Sequence, residues 1–204
     1  MQELEAIKIL QEELKFTDQS IDKLKMFQTE LLKANKKHNL IAKSTEGSIW
    51  SRHILDSAQL VKYINFNQGS LSDLGSGAGF PGLVLAIHSQ NFNFHVKLYE
   101  KSPVKRDFLD NIINKLKIKA VTYSNVFDGN IESEYLVSRA FKKLDKIIQV
   151  SREMVKKPHK LIILKGQNAQ EEANKAFKSQ KYTYKFEKSM TDKKSKIIIA
   201  EVIQ

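Results

Sequence analysis

From about residue 66 onward, short apolar runs alternate with stretches long enough for a helix, and this alternation limits the chain to few folds. The runs are Leu71–Leu74, Phe94–Tyr99, Ala120–Tyr123, Tyr135–Ser138, Lys160–Leu164, Tyr182–Lys188 and the terminal Ile197–Ile203. After the second run, Ser102 can cap a helix with Pro103 at its first position. Val104, Phe108, Leu109, Ile112, Ile113 and Leu116 then recur at helical spacing. Further helices are expected at about 142–155 and 168–179. Strand–helix alternation predicts a parallel sheet covered on both faces. Only Ser189–Ser195 separates the last two runs, which is too short for a parallel crossover, so they should pair antiparallel. The expectation is an α/β fold with a mostly parallel seven-stranded sheet and one reversed strand near its edge.

Residues 1–66 read as an N-terminal helical extension, and 67–204 as the sheet domain. Leu4, Ile7, Leu10 and Leu14 mark a first helix; Ile21, Leu24, Phe27, Leu31 and Leu32 mark a second. A polar break follows at Asn35–Asn39, then a third helix over about 46–64. Trp50 reads as core, with stacking on a splayed base as the alternative.

Composition excludes several chemistries. The 204 residues contain no cysteine, so there is no disulfide, thiolate nucleophile or thiolate metal site. The five histidines are scattered without metal-ligand spacing, and no metal is expected. No apolar run approaches the ~20 residues of a membrane span. The opening MQELEAIKILQEELK carries acids, unlike a secretion signal or transit peptide, so a cytoplasmic location is expected. The net charge is +11, with lysines in dispersed patches such as Lys36-Lys37, Lys142-Lys143, Lys156-Lys157 and Lys193-Lys194. Dispersed cationic patches suit a large, irregular phosphate surface. No oligomerisation signal stands out, and a monomer is the default.

Directly after the first strand comes DLGSGAGFPG, residues 73–82, which holds four of the chain's eight glycines. In an open α/β sheet the ligand lies outside the carboxyl ends of the strands. The stretch from Gly77 to Gly82 fits G-x-G-x-x-G, a dinucleotide fingerprint that would face a pyrophosphate. That frame begins after the strand has already ended. The frame anchored at Asp73 fits the strand end, where an Asp can orient the loop or take the ammonium of S-adenosylmethionine. The reversed strand also favours a methyltransferase topology. Glu100, ending the second strand, can accept hydrogen bonds from both ribose hydroxyls in either reading.

Arg52–Ser57, Asp73–Gly82, Lys105-Arg106 with Phe108-Leu109, Ser138–Phe141 and Leu164–Gly166 together resemble the GidB/RsmG family, in family order over about residues 38–167. The resemblance implies a Rossmann-like class I S-adenosylmethionine-dependent methyltransferase. It also implies transfer of a methyl group to N7 of a guanine in bacterial 16S ribosomal RNA, presented within the small subunit. Cofactor contacts are implied at Gly75 and Phe80 in the loop, at Arg139 and around Asn125-Val126-Phe127; Asp73, Ser76, Gly77, Gly79 and Glu100 complete the expected cofactor set. The family commonly has Arg-hydrophobic-Glu after the third strand; here the chain reads Asn125-Val126-Phe127-Asp128, which leaves a backbone contact to adenine.

Guanine N7 has a free lone pair and no proton, so its methylation needs positioning and desolvation and no general base. Arg139 and Lys165 are the expected catalytic cations, Lys165 on the RNA or base, with Asp56 placed to stabilise the cationic product. Arg52, His53, Arg106 and Lys165 are the expected substrate contacts. On one α-helix, Arg52 and Asp56 (i, i+4) and His53 and Asp56 (i, i+3) would touch. Three other readings stay open: a methyltransferase of another RNA, protein or small molecule, a nicotinamide-dependent dehydrogenase, and a noncatalytic RNA-binding assembly factor.

Overall fold

The computed structural model describes residues 1–139, 143–177 and 183–203. Among them, seven strands form one sheet: β1 (Ser70–Leu74), β2 (His95–Tyr99), β3 (Ala120–Tyr123), β4 (Tyr135–Ser138), β5 (His159–Lys165), β6 (Thr183–Lys188) and β7 (Lys196–Val202). Their order is β3-β2-β1-β4-β5-β7-β6. β1 to β5 pair in parallel, and β7 runs antiparallel between β5 and β6. The reversed strand is therefore the last one, inserted next to the edge, as the short Ser189–Ser195 connection requires. Ala140, Phe141, Lys142 and Tyr182, named above, lie outside the described residues.

The described α-helical segments flank the sheet: α1 (Glu3–Glu12), α2 (Asp18–His38), α3 (Asp56–Ala58), α4 (Gly82–His88), α5 (Pro103–Leu116), α6 (Leu144–Met154) and α7 (Ala169–Ala176). Alternation along β5 sends Ile162 and Leu164 into one core with α1, α2, α4 and α5, and Leu161 and Ile163 into the other with α6 and α7. The helices of the N-terminal region share the first core with the sheet. Phe27 of α2 meets Phe80 at 5.3 Å and Phe108 at 6.4 Å between ring centres. Ser20 Oγ donates to the carbonyl of Ile87 at 3.0 Å.

Three details differ from expectation. Leu4 faces solvent, and Ala6 and Leu10 carry the buried stripe of α1. α2 runs through the polar stretch to His38 and ends on Asn39 in a left-handed conformation. Asn35 is buried there, accepting from the N–H of Ile41 at 2.8 Å and donating to Glu46 at 2.6 Å, so a polar residue was needed inside the helix. The third helix is not continuous. Residues 43–63 form a 3-10 turn (Lys43–Ser48), a π-helical turn (Trp50–Leu55), α3, and a second 3-10 turn (Gln59–Tyr63). Trp50 is buried and donates its indole N–H to Gln28, which excludes the stacking alternative in this conformation.

Candidate active site

β1 and β4 are neighbours whose connections leave for opposite faces of the sheet. That divergence opens a crevice at their carboxyl ends. It encloses about 460 Å³, within the roughly 300–1,000 Å³ usual for small-molecule sites. The crevice is lined by Gly75–Ala78 and Phe80, by Tyr99–Lys101 with Lys105, by Ser124 and Val126 after β3, by Arg139 after β4, and by Leu40 and Ile41.

The glycine loop is held by backbone. The N–H groups of Gly75 and Ser76 both donate to the carbonyl of Tyr99 at 2.9 Å. Gly77 adopts φ +57°, which favours glycine, and its N–H donates to Glu100 Oε2 at 2.9 Å. Glu100 Oε1 accepts from Ser102 N at 2.8 Å, so one carboxylate ties the loop to the start of α5. Gly82 opens α4 with its N–H on Asp73 Oδ2 at 2.9 Å, and any Cβ there would overlap both Asp73 and Leu98. Asp73 is fully buried, and its Oδ1 has no hydrogen-bond partner among the described residues. Burial pushes its carboxyl up to about 7, against the opposing hydrogen bonds from Gly82 and Ser76.

Arg139 is held by side chains from distant segments. Its Nη1 donates to the carbonyl of Arg52 at 2.9 Å and lies 3.5 Å from Asp56 Oδ2. Its Nη2 is 2.7 Å from His53 Nδ1. A guanidinium can only donate, so His53 Nδ1 accepts and the imidazole proton sits on Nε2, which faces Thr45 Oγ1 at 2.9 Å. Burial, then the charges of Arg139 and Arg52, lower the His53 pKa to about 4, keeping this ring neutral. Phe80 packs beneath both groups, 5.0 Å from the His53 ring and 5.1 Å from the Arg139 guanidinium carbon. Asp56 Oδ1 accepts from Thr191 Oγ1 at 2.7 Å and from Gln59 Nε2 at 3.0 Å. Burial raises the Asp56 pKa, and the bonds from Thr191 and Arg139 oppose the rise.

The expected site residues divide on this geometry. Gly75, Ser76, Gly77, Phe80, Glu100, Val126 and Arg139 line the crevice together. Asp73 lies beneath the loop, and Gly79 shapes it at φ +102°. Asp56 and His53 stand behind Arg139 and outside the lining. Each bonds to Arg139 rather than to the other, and Arg52 does not pair with Asp56, whose carboxylate is taken by Arg139, Thr191 and Gln59. Arg52 is exposed and contributes its carbonyl. Arg106 is turned away from the lining and braces the carbonyls of Glu100 and Lys101 at 2.8 and 2.7 Å; its neighbour Lys105 lines the crevice instead. Phe127 is 43% exposed and outside the lining, while Val126 is buried against it. Asp128 binds back to Ser124 and Asn125, closing the turn.

Lys165 is also outside the crevice. β-strand alternation points it to the α6–α7 face, where it pairs with Glu172 at 2.8 Å. Glu172 Oε2 also accepts from the N–H of Leu144 at the start of α6, so Lys165 helps anchor the chain that follows Arg139 and residues 140–142. Leu40, Ile41, Thr45, Gln59, Lys101, Ser124 and Thr191 join the site without having been expected. Thr191 reaches Asp56 across 135 positions of sequence, which no local spacing reveals.

Comparison with known proteins decides the family. The family described as GidB, rRNA small subunit methyltransferase G, matches residues 20–200. The chain belongs to it. Among its relatives, the ribosomal RNA small subunit methyltransferase G of Orientia tsutsugamushi is 34% identical, covering 88% of this chain and 89% of that protein. The protein of the same name from Pelagibacter ubique is 31% identical, covering 83% of each. In fold, the chain is similar to an S-adenosylmethionine-dependent methyltransferase from Aquifex aeolicus, with TM-score 0.61, 12% identity, and coverage of 85% of this chain and 98% of that one. TYW2 of M. jannaschii, solved in complex with AdoMet, gives TM-score 0.55 at 15% identity, covering 75% and 76%. The crevice of this rRNA small subunit methyltransferase G family member fits a methyl donor of that type. Its bare loop admits close approach, Glu100 stands at the β2 end, and Asp73 keeps one buried carboxylate oxygen without a donor.

Proposed function

We propose that this protein transfers a methyl group from S-adenosylmethionine to N7 of a guanine in 16S ribosomal RNA, presented within the small subunit. The observation that carries this reading is the crevice at the β1/β4 divergence, shared by the glycine loop, Glu100 and Arg139, in a chain of this family. Bound there, the cofactor supplies an electrophilic sulfonium methyl group. Asp73 Oδ1, buried beneath the loop and lacking a donor, would be the acceptor for the cofactor's ammonium. Glu100 retains lone pairs for the ribose hydroxyls while its backbone bonds hold it still. Val126 would pack against adenine, leaving polar recognition to backbone and Ser124, which line the crevice with it.

No residue removes a proton, because guanine N7 has none to give up. The protein's contribution is alignment in a site shielded from water. Arg139 uses its bonds to Arg52 and His53 to fix the guanidinium plane, and keeps further N–H donors for guanine O6 or a phosphate. Neutral His53 and the Asp56 carboxyl position Arg139. Lys165 acts through Glu172 on the chain leaving β4. Residues 1–66 form an extension built into the same core as the 67–204 methyltransferase domain. The protein works as a cytoplasmic monomer.

Mapping 7-methylguanosine in 16S RNA from cells with and without this gene tests the reading. One position should lose the mark in the deletion and regain it on complementation. An unchanged map would overturn the proposal.

A further inference from the structure

A second groove adjoins the crevice between α2 and α5. It encloses about 690 Å³. Its floor is apolar, with Ala34, Phe108 and Ile112, and half-exposed Val104 stands beside it. Its walls are cationic: Lys33, Lys37 and His38 on α2 face Lys115 on α5. Two acids interrupt them, Glu30 and Asp107. Glu30 is shared by Lys33 at 3.0 Å and Lys115 at 2.9 Å, and together these lower its pKa. Lys37 is exposed and has no ion pair among the described residues.

The groove is continuous in sequence with the crevice on both walls. Lys37 and His38 lead through Asn39 to Leu40 and Ile41, and Val104 adjoins Lys105; Leu40, Ile41 and Lys105 line the crevice. From Lys105 to Lys115 is about 15 Å along α5. That span matches several nucleotides of a stacked strand, which advances about 3.4 Å along its axis per phosphate. An apolar floor flanked by lysines suits sugars and bases below with phosphates along the walls.

We propose that the α2–α5 groove holds the single-stranded RNA segment flanking the target guanine, gripping its phosphates through Lys37, Lys33 and Lys115 while the guanine turns into the crevice. This rests on the proposed ribosomal RNA substrate. The groove accounts for part of the +11 charge that the crevice does not use.

The test measures affinity for a 16S RNA fragment and for the small subunit across a salt series, with S-adenosylhomocysteine affinity measured in parallel. Lys37→Glu should weaken binding several-fold and reduce the log–log salt slope by about 0.7 for each phosphate left without its lysine. Asn111→Lys, which adds a cation to the same groove, and Glu30→Gln, which removes an acid, should tighten binding and steepen the slope. All three should leave S-adenosylhomocysteine affinity unchanged, since none lines the crevice. Unchanged RNA affinity and slope in all three variants would overturn the groove assignment. So would effects on the assembled subunit with none on naked RNA, which would mean that the groove meets a ribosomal protein. If the wild-type protein methylates no small-subunit RNA, the proposed function fails instead, whatever these slopes are.

Discussion

The two sides of the crevice are built by different means. The Glu100 side is made of residues close in sequence or on adjacent strands: Asp73, Gly77, Gly82, Tyr99, Glu100 and Ser102, joined mostly through backbone N–H groups. The Arg139 side is assembled from Thr45, Arg52, His53, Asp56, Phe80, Arg139 and Thr191, joined mostly through side chains. A backbone-built side tolerates many substitutions but few changes at its glycines and acids. A side-chain-built side can be dismantled one residue at a time, with graded effects on a single group, Arg139.

The largest effect should come from removing that group. Arg139→Ala is expected to lower methyl-transfer turnover by at least about 10²-fold, the scale of a lost alignment. Arg139→Lys should not restore it, because an ammonium cannot make the forked contacts to Arg52 and His53. Steady-state kinetics with small-subunit RNA check both, and full activity in the Lys variant would erase the contrast drawn between the two sides.

On the backbone side the critical change is Asp73→Asn. The wild-type carboxyl has a folded pKa of about 7, above the unfolded value of about 3.9. Without ligand its stabilising contribution is therefore full below about pH 4 and is lost progressively as pH rises to the folded value near 7. Cofactor affinity should move oppositely and strengthen through about pH 7, because the ammonium needs the ionised form. Thermal melts and calorimetric titration across this range should show both trends in wild type and neither in Asp73→Asn. A buried group left without its partner costs about 1–3 kcal/mol, which sets the scale of the lost affinity.

The smallest effect is expected from Thr191→Val, which removes the hydroxyl donated to Asp56 at 2.7 Å. A typical intramolecular hydrogen bond contributes about 0.5–1.5 kcal/mol, so turnover should fall roughly two- to thirteenfold. Cofactor affinity and KM for RNA should stay unchanged if Thr191 acts only by positioning Arg139 through Asp56. A matching rise in KM would assign it to RNA binding instead.

The same contrast explains what the sequence disclosed. The glycine loop, Glu100, the mostly parallel sheet and the reversed last strand all follow from local letters and spacing, and they are where expected. Arg139 came through family resemblance. The way it is supported did not, because Thr191 becomes a neighbour of Asp56 only after the N-terminal segment docks on the sheet, and Thr45 meets His53 through the irregular 3-10 and π-helical turns that hold them. Helical spacing misled at Arg52 and Asp56 because the Asp56 carboxylate is taken by Arg139 and Thr191, both distant in sequence. Lys165 misled for a simpler reason: strand alternation, readable from Ile162 to Lys165, already points it to the opposite face from Leu164.

The shared core of the N-terminal helices also sets an order of events during synthesis. α2 emerges well before the residues it packs against, since Phe27 waits for Phe80 and Phe108. At about 5–20 residues per second, that wait is roughly 3–10 seconds for the first of them. For that interval the nascent chain carries an amphipathic helical pair whose apolar face has no mate. Chains stalled before residue 71 should be protease-sensitive throughout this segment, and chains stalled beyond α5 should be protected.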